Sequence, residues 1–382
     1  MVSNSNMQQK KIIPKSKIKL AKWRIFFSRI KRRVLSHVWP VRISLILIGL
    51  VCIVVPVIFI RSLVISTNLN SYLNYVTDFI FPSIAKVKAI DDRVNILFLG
   101  KGGGDHEAPD LTDTMILISV NLRNNTVTLI SLSRDIWIPE LRTKLNNIYY
   151  WGNQKKPPVL RTSGPEEPGG GLALSKSVVE QVIGEDIQYG VVMDFEGFVK
   201  AIDAIGGIYV GVENSFKDEK YPIPGREDDV CGGDPLLMCR YETIVFEKGG
   251  QFMDGSTALK FARSRNAEES EGTDFARAGR QQKVISAVKN KLLDESVLFS
   301  PKKILAVKNI LNEHMESDLN SREISVLARY FWRSRNATAG YVIPENLLEV
   351  APKSTKYDNL YVLIPKSGNW DEVHTWIRGV LK

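Results

Sequence analysis

Residues 94–100 read VNILFLG, an apolar run with one asparagine that ends on a glycine. A run of this length closed by a breaker predicts a strand buried on both faces, and hence a sheet with material packed on either side. The flanking segments agree. TDTMILISV (112–120) and TVTLISLS (126–133) are β-branched runs joined by NLRNN, which predicts a hairpin. In LALSKSVVEQVIG (172–184) Leu174, Val178 and Val182 share one helical stripe, which stops at Gly184. DFEGFVKAIDAIGG (194–207) offers Asp194 as N-cap, repeats Phe195, Phe198, Val199 and Ile202, and ends on Gly206-Gly207. IYVGV (208–212) returns to strand, and LYVLIP and WDEVHTWIRGVL (360–381) read as a last strand and helix. Strands and helices interleaved at this spacing predict an α/β fold with helices on both sides of the sheet. Residues 153–171 and 213–250 are rich in Pro and Gly and are expected to be long surface loops or lids.

The net charge of +9 over 382 residues is unevenly spread. Residues 1–42 hold 12 Lys and Arg and no Asp or Glu, so taking these 12 from +9 leaves about −3 for the rest. The uncharged run ISLILIGLVCIVVPVIFI (43–60) follows directly. At about 1.5 Å per residue its 18 residues reach about 27 Å, close to a bilayer's hydrocarbon core of about 30 Å. The expected organisation is a basic cytoplasmic tail over 1–42, one transmembrane helix over 43–60, a stalk over 61–90 and an outward-facing domain over 91–382. Basic residues flanking a membrane span need no nucleic acid to explain them, and none is expected as a partner. Cys231 and Cys239 enclose GGDPLLM in that outward part. They can close as a disulfide or remain as thiols, and they lack the further Cys or His of a zinc site.

Four stretches carry polar residues inside apolar elements. LTDTM places Asp113 at the start of a strand, and SLSRD places Arg134 and Asp135 at the end of the next. If ALKFARSR is a strand, Arg263 and Arg265 share a face. TDFARAGRQQKVISAVKNKLL reads as a helix capped near Thr273 or Asp274. Its apolar stripe of Val284, Ile285, Val288 and Leu292, continued backward, reaches Gln281 and Arg277, with Arg280 alongside. A buried cation needs a partner. Asp135, Asp274, Glu268, Glu269 and Glu271 are candidate internal partners. Five arginines converging from three elements, one of them a helix N-terminus, point instead to a phosphate ligand. Asp113 among them suits Mg²⁺, which binds through one or two carboxylates plus phosphate oxygens. No Ser-His-Asp order, HExxH or Cys/His pair emerges, so positioning and charge stabilisation would have to carry any phosphoryl chemistry.

LTDTM, SLSRD, KLNN, YGVVMDFEGFVKAIDAIGG, DGSTALKFARSR and DFARAGRQQKVI, in this order behind one apolar span, resemble the LytR-CpsA-Psr family over residues of about 90 to 380. The resemblance implies a three-layer α/β/α sandwich with a central mixed sheet and a hydrophobic tunnel for a polyprenyl lipid. It implies transfer of a glycopolymer from a polyprenyl-pyrophosphate carrier to peptidoglycan or another wall acceptor through a phosphodiester, aided by Mg²⁺ or Mn²⁺. Asp113, Arg134 and Arg277 would then be catalytic. Arg134, Arg263, Arg265, Arg277, Arg280, Gln281 and Lys144 would bind the pyrophosphate, and a sugar hydroxyl would attack. The competing functions are a non-catalytic receptor for anionic wall polymers and a lipid-pyrophosphate hydrolase.

The chain departs from the family pattern after the first strand. The family has an aspartate two residues beyond the strand-ending glycine, and here Gly102 stands there, within GKGGGDH. Asp105, or Asp110 in APDLTD, would have to supply the second metal carboxylate. The glycine-rich turn lacks the spacing of a nucleotide-binding loop. It reads either as a tight corner or as a place where backbone N–H groups approach an anion.

Overall fold

A computed structural model of the protein describes residues 77–79, 81–104, 108–154, 170–298, 300–334 and 337–382, all within the unit Tyr75–Lys382. The apolar run 43–60, the tail before it, Asp105 and most of the loop 153–171 lie outside the described residues. Among the described residues no helix is long and apolar enough to cross a membrane.

The central sheet is built from β1 (Arg93–Lys101), β2 (Thr112–Asn121), β3 (Thr126–Ser131), β6 (Tyr189–Asp194), β11 (Met315–Ser317) and β12 (Thr338–Val342), in the order β11-β6-β1-β2-β3-β12. β1 runs antiparallel to β2 and parallel to β6, and β3 is parallel to β12, so the sheet is mixed. The run VNILFLG lies at its centre: Leu97 and Leu99 are buried on one face, and Val94 and Ile96 on the other. The first face packs Met115, Leu117 and Ile130 against Val178 and Val182 of α2 (Gly170–Ile183) and Val373 and Ile377 of α8 (Asp371–Leu381). The second packs Ile116, Val127 and Leu129 against Val326, Leu327 and Tyr330 of α7 (Ser321–Arg333). Neighbouring residues of each strand thus enter different cores, as side-chain alternation requires.

The predicted hairpin, the Asp194 cap and the two-glycine stop are all present. Asp194 accepts a hydrogen bond from the Gly197 N–H and starts α3 (Phe195–Ile205), which ends at Gly206 in the left-handed region at φ 88°. IYVGV forms β7 (Ile208–Val212), but it pairs with β10 (Gly249–Met253) in a separate ribbon and not with the central sheet.

Two expectations are overturned. Residues 213–250 are only in part a loop: β8 (Phe216–Pro222) and β9 (Tyr241–Phe246) form a hairpin, because Phe216, Asp218, Tyr221, Ile244 and Phe246 point inward, and residues 223–240 between them remain a long surface connection. The Cys231–Cys239 disulfide closes the loop at its tip. ALKFARSR is not a strand either. Asp254 caps α4 (Gly255–Arg263) by accepting from the Thr257 N–H. Buried Ala258, Phe261 and Ala262 then follow the helical spacing.

Candidate active site

One end of the sheet opens into a cavity of about 450 Å³. Asp113 and Thr114 line it from β2, Phe195 from the start of α3, Arg263, Arg265 and Asn266 from the end of α4 and beyond. Asp274, Arg277 and Gln281 line it from α5 (Asp274–Leu292), whose cap is Thr273.

The cations are held apart and aimed by different means. Arg277 is only 7% exposed and pairs with Asp274 at 2.9 Å, one turn away at the helix N-terminus. Burial, opposed by Asp274 and reinforced by the nearby charges of Arg265 and Arg134, pushes its pKa down to about 10. It remains protonated at neutral pH, in a site that is short of negative charge. Arg263 lies over the Phe195 ring at 4.4 Å and beside Tyr221 at 6.0 Å, which fixes its plane at the cavity wall. Arg265 is half-exposed and only 3.9 Å from Asp274 at its nearest. Gln281 donates to Thr114 Oγ1 at 3.0 Å and to the Ala262 carbonyl at 3.4 Å, joining α5 to β2 and α4.

Arg134 stands behind Asp113 and does not itself line the cavity. Its Nη1 donates to Asp113 Oδ1 at 2.6 Å, and its Nε is 3.6 Å from Asp135 Oδ2. Burial alone would lower its pKa; Asp113, then Asp135 and Asp274, more than offset this and leave it raised. The KLNN stretch braces the pair from below. The Asn146 N–H donates to the Arg134 carbonyl, and Thr112 Oγ1 donates to the Asn146 carbonyl.

Besides Arg134, two more of the expected pyrophosphate ligands are engaged away from the cavity. Arg280 is 2% exposed. It donates to the carbonyls of Phe261, Ser264 and Glu271 and to Glu271 Oε2, at 2.7–3.0 Å, which straps the turn between α4 and α5. It has no face toward the cavity, so its role is to hold Arg265 and Asn266 in place. Arg280→Ala is expected to cost about 3–5 kcal/mol by leaving Glu271 and three carbonyls without their donor. An unchanged urea midpoint would refute this. Lys144 is on Asp135 at 2.7 Å and likewise does not line the cavity. Asp110 pairs with Lys101 at 3.0 Å. The glycine-rich turn is a tight corner in one respect: Gly103 (φ 70°) lies so close to Asp194 that a Cβ there would come within 2.5 Å of the Asp194 Cβ.

Sequence reading missed the contribution of the β8–β9 hairpin. Asp218, Lys220, Tyr221, Pro222 and Tyr241 also line the cavity. Asp218 is fully buried and accepts from the backbone N–H groups of Lys220, Arg265 and Asn266 and from Ser264 Oγ. The in-out alternation of FKDEKYP was the available signal.

Below this chamber a narrow slot of about 60 Å³ runs between the sheet and helices α3, α4 and α5. Phe98, Met193, Phe198, Leu259, Val284 and Ile285 make it almost wholly apolar. Thr114, Phe195, Arg263 and Gln281 border both spaces and form the neck between them.

Fold and site together define an α/β protein with a cationic chamber opening onto an apolar slot. The chain belongs to the LytR_cpsA_psr family, whose model matches residues 74–376. It is 29% identical over 250 residues to the polyisoprenyl-teichoic acid–peptidoglycan teichoic acid transferase TagU of Oceanobacillus iheyensis, covering 64% of this chain and 65% of that protein. The match thus spans just under two thirds of that relative's length. A protein of the same name from Halalkalibacterium halodurans is 25% identical over 279 residues, covering 72% of this chain and 74% of that one. The crystal structure of Bacillus subtilis TagV shares the fold, with a TM-score of 0.52 and 22% identity over 77% of this chain and 98% of that one.

Proposed function

We propose that the protein transfers a glycopolymer from a polyprenyl-diphosphate carrier to peptidoglycan. The observation that carries this reading is the junction of two unlike spaces at one neck: a prenyl chain suits the slot, and the diphosphate suits the arginines above it. The names of the relatives supply the acceptor. At about 60 Å³ the slot is narrow for a prenyl chain, so lipid entry requires α3, α4 and α5 to part from the sheet. Leu259→Trp, which fills the slot at a half-buried position, is expected to raise the Kd for prenyl diphosphate at least about tenfold. Unchanged lipid affinity would argue against the slot as the tail site.

An acceptor hydroxyl oxygen attacks the phosphorus that bears the sugar. That new P–O bond replaces the bridge to the prenyl phosphate, which leaves, and the hydroxyl proton passes to the Asp113 carboxylate. Arg263, Arg265 and Arg277 hold the phosphate oxygens as charge shifts toward the leaving group. For a divalent cation the donor chemistry fits: Asp113 is a carboxylate at the chamber wall among phosphate-binding cations, and Mg²⁺ or Mn²⁺ would complete its shell with phosphate oxygens. When bound, the ion would neutralise phosphate charge. Among the described residues the three-ligand group Asp229/Cys231/Cys239 is no substitute, because both cysteines are in a disulfide.

The basic tail before the apolar run supports an N-terminus in the cytoplasm and a catalytic domain outside it, and the disulfide suits an oxidising exterior. The deciding experiment gives the full-length chain lipid-linked glycopolymer with and without peptidoglycan. Covalent polymer–peptidoglycan product is expected only with the acceptor present. Binding without turnover would favour a receptor, and acceptor-independent prenyl phosphate release a hydrolase.

A further inference from the structure

The end of the sheet away from the chamber carries an apolar surface that the transfer site does not use. β1 starts at that end, where Arg93 pairs with Asn121, and finishes with Lys101 opposite Thr112, next to Asp113. α5 spans the two ends. It donates from Gln281 to Thr114 near the chamber, and from Lys289 to the Ser334 carbonyl and the Thr338 hydroxyl at the far end, where Thr338 pairs with Val127. α3 starts from Asp194, the partner of Lys101, and stops at Gly206. α6 (Pro301–His314) runs back beside it: Lys303 Nζ donates to the Ile205 carbonyl at 3.2 Å, and His314 Nδ1 is 3.2 Å from Asp194 Oδ2. The last turn of α3 and the first turn of α6 thus meet far from the chamber.

Large apolar side chains stand in solvent around that meeting point. On β7, Ile208, Val210 and Val212 enter the core, and Tyr209 between them points outward at 74% exposure. Its cross-strand partner Phe252 is also exposed, with the two rings 5.4 Å apart. Gly211 and Gly250 pair on the same outer face, so no side chain covers the rings from that side. Phe252 lies on Gly207, where a Cβ would come within 2.4 Å of the ring. The adjoining Gly206 faces Lys303 Nζ, and Ile304 and Leu305 follow it, the latter 58% exposed. The aromatic pair and the first turn of α6 therefore border one another at the Gly206-Gly207 turn. An exposed apolar patch of this kind marks a contact surface.

The charges beside it choose the partner. In residues 289–303, Lys289, Lys291, Lys302 and Lys303 outnumber Asp294 and Glu295, and Asp294 is occupied by the Ser296 N–H. Lysine is depleted from the cores of protein–protein interfaces, whereas aromatic rings, aliphatic side chains and lysines together suit lipid headgroups above an acyl layer. The chain points the same way: the uncharged run 43–60 precedes the strand that begins at this end, Arg93, and not one that begins at the chamber.

We propose that this end of the domain docks on the membrane surface, with Tyr209, Phe252, Ile304 and Leu305 in the headgroup region and Lys302 and Lys303 on anionic lipid phosphates. This rests on the membrane-held, outward-facing domain read above, and adds to it a second, peripheral contact made by the folded domain itself. The contact sets the far ends of α3 and α5, which wall the slot, against the lipid. The helices that must part to admit a prenyl chain then part at the bilayer.

The test uses the full-length chain carrying Cys52→Ser, so that Leu305→Cys takes a single environment-sensitive fluorophore while Cys231 and Cys239 stay in their disulfide. A second preparation carries the label at Tyr361→Cys, beside Lys144 at the chamber end. Both are reconstituted in vesicles of phosphatidylglycerol and phosphatidylcholine in equal parts, with and without nitroxide-bearing lipid. The label at 305 is expected to lose at least about half its emission to the nitroxide, and the label at 361 almost none. The double variant Ile304→Glu/Leu305→Glu, otherwise wild type, is expected to slow transfer from a bilayer-embedded donor at least about tenfold and to leave transfer from a short-chain donor in solution unchanged. Emission at 305 that ignores the nitroxide lipid would overturn the docking surface and leave the transferase reading standing. Shielding at 305 that grows with protein concentration without nitroxide quenching would assign the patch to a second copy of the chain, and equally overturn it. So would equal loss of transfer from both donors in the glutamate variant. A wild type that transfers from neither donor would remove the transferase reading, and the quenching would still decide the docking; a chain that fails to float with the vesicles would remove the membrane reading and the docking together.

Discussion

Arg277→Met is expected to lose transfer activity by at least a factor of about one hundred while the ligand-free protein melts at the same temperature or higher. The two halves have one origin. The Arg277 guanidinium is buried among Arg265 and Arg134, and its pKa falls to about 10 because the folded state penalises the charge. That depression corresponds to on the order of 3 kcal/mol, in force throughout the neutral range because pH 7 lies below the folded-state pKa. Methionine keeps the apolar stem and deletes the charge, and it leaves behind Asp274, which is half-exposed and costs little unpaired. A diphosphate is the missing counter-charge, so the same cluster that weakens the empty fold strengthens the complex. Thermal melts with and without prenyl diphosphate check this: the wild type should gain several degrees from the lipid and the variant almost none. A variant that melts well below the wild type and still gains from the lipid would mark Arg277 as a structural cation.

Much of this site was legible because it lies on regular elements. Extending the stripe of α5 backward from Val284 found Arg277 and Gln281, since periodicity specifies which face a residue occupies. The same argument failed for Arg280. It is as buried as its neighbours, but its partners are carbonyls of a turn that the helix packs under, and no sequence pattern announces where a chain folds back over a helix. Taking ALKFARSR as a strand puts Arg263 and Arg265 on one face, but the Ala258, Phe261, Ala262 spacing was the stronger signal and is helical. In the β8–β9 hairpin the alternation of apolar residues was present, but the bulge after Asp218 breaks it where it matters. Asp218 has a further lesson. A fully buried carboxylate in the chamber wall would be a natural candidate for catalysis, yet its oxygens are occupied in holding Lys220, Arg265 and Asn266 in place. Only the hydrogen-bond partners separate such a residue from Asp113.

Asp113→Asn separates binding from chemistry. Its Oδ1 accepts from Arg134 at 2.6 Å, and an asparagine oxygen there can accept the same bond, so Arg134 keeps its place between positions 113 and 135. What disappears is one negative charge beside Arg277 and Arg134, and with it the oxygen able to take a proton or hold a divalent cation. Affinity for prenyl diphosphate is therefore expected to stay the same or rise, since the arginines then face the ligand with one fewer competing carboxylate. Turnover is expected to fall by a factor of about one hundred or more. A protein that only receives polymer gains nothing from an acid at this point, and for it the substitution would be silent or favourable in every assay. Single-turnover transfer and lipid binding measured on the same preparation give the answer: loss of both together would mean that Asp113 serves mainly to orient Arg134, whereas lost turnover with retained binding assigns the carboxylate to the transfer step.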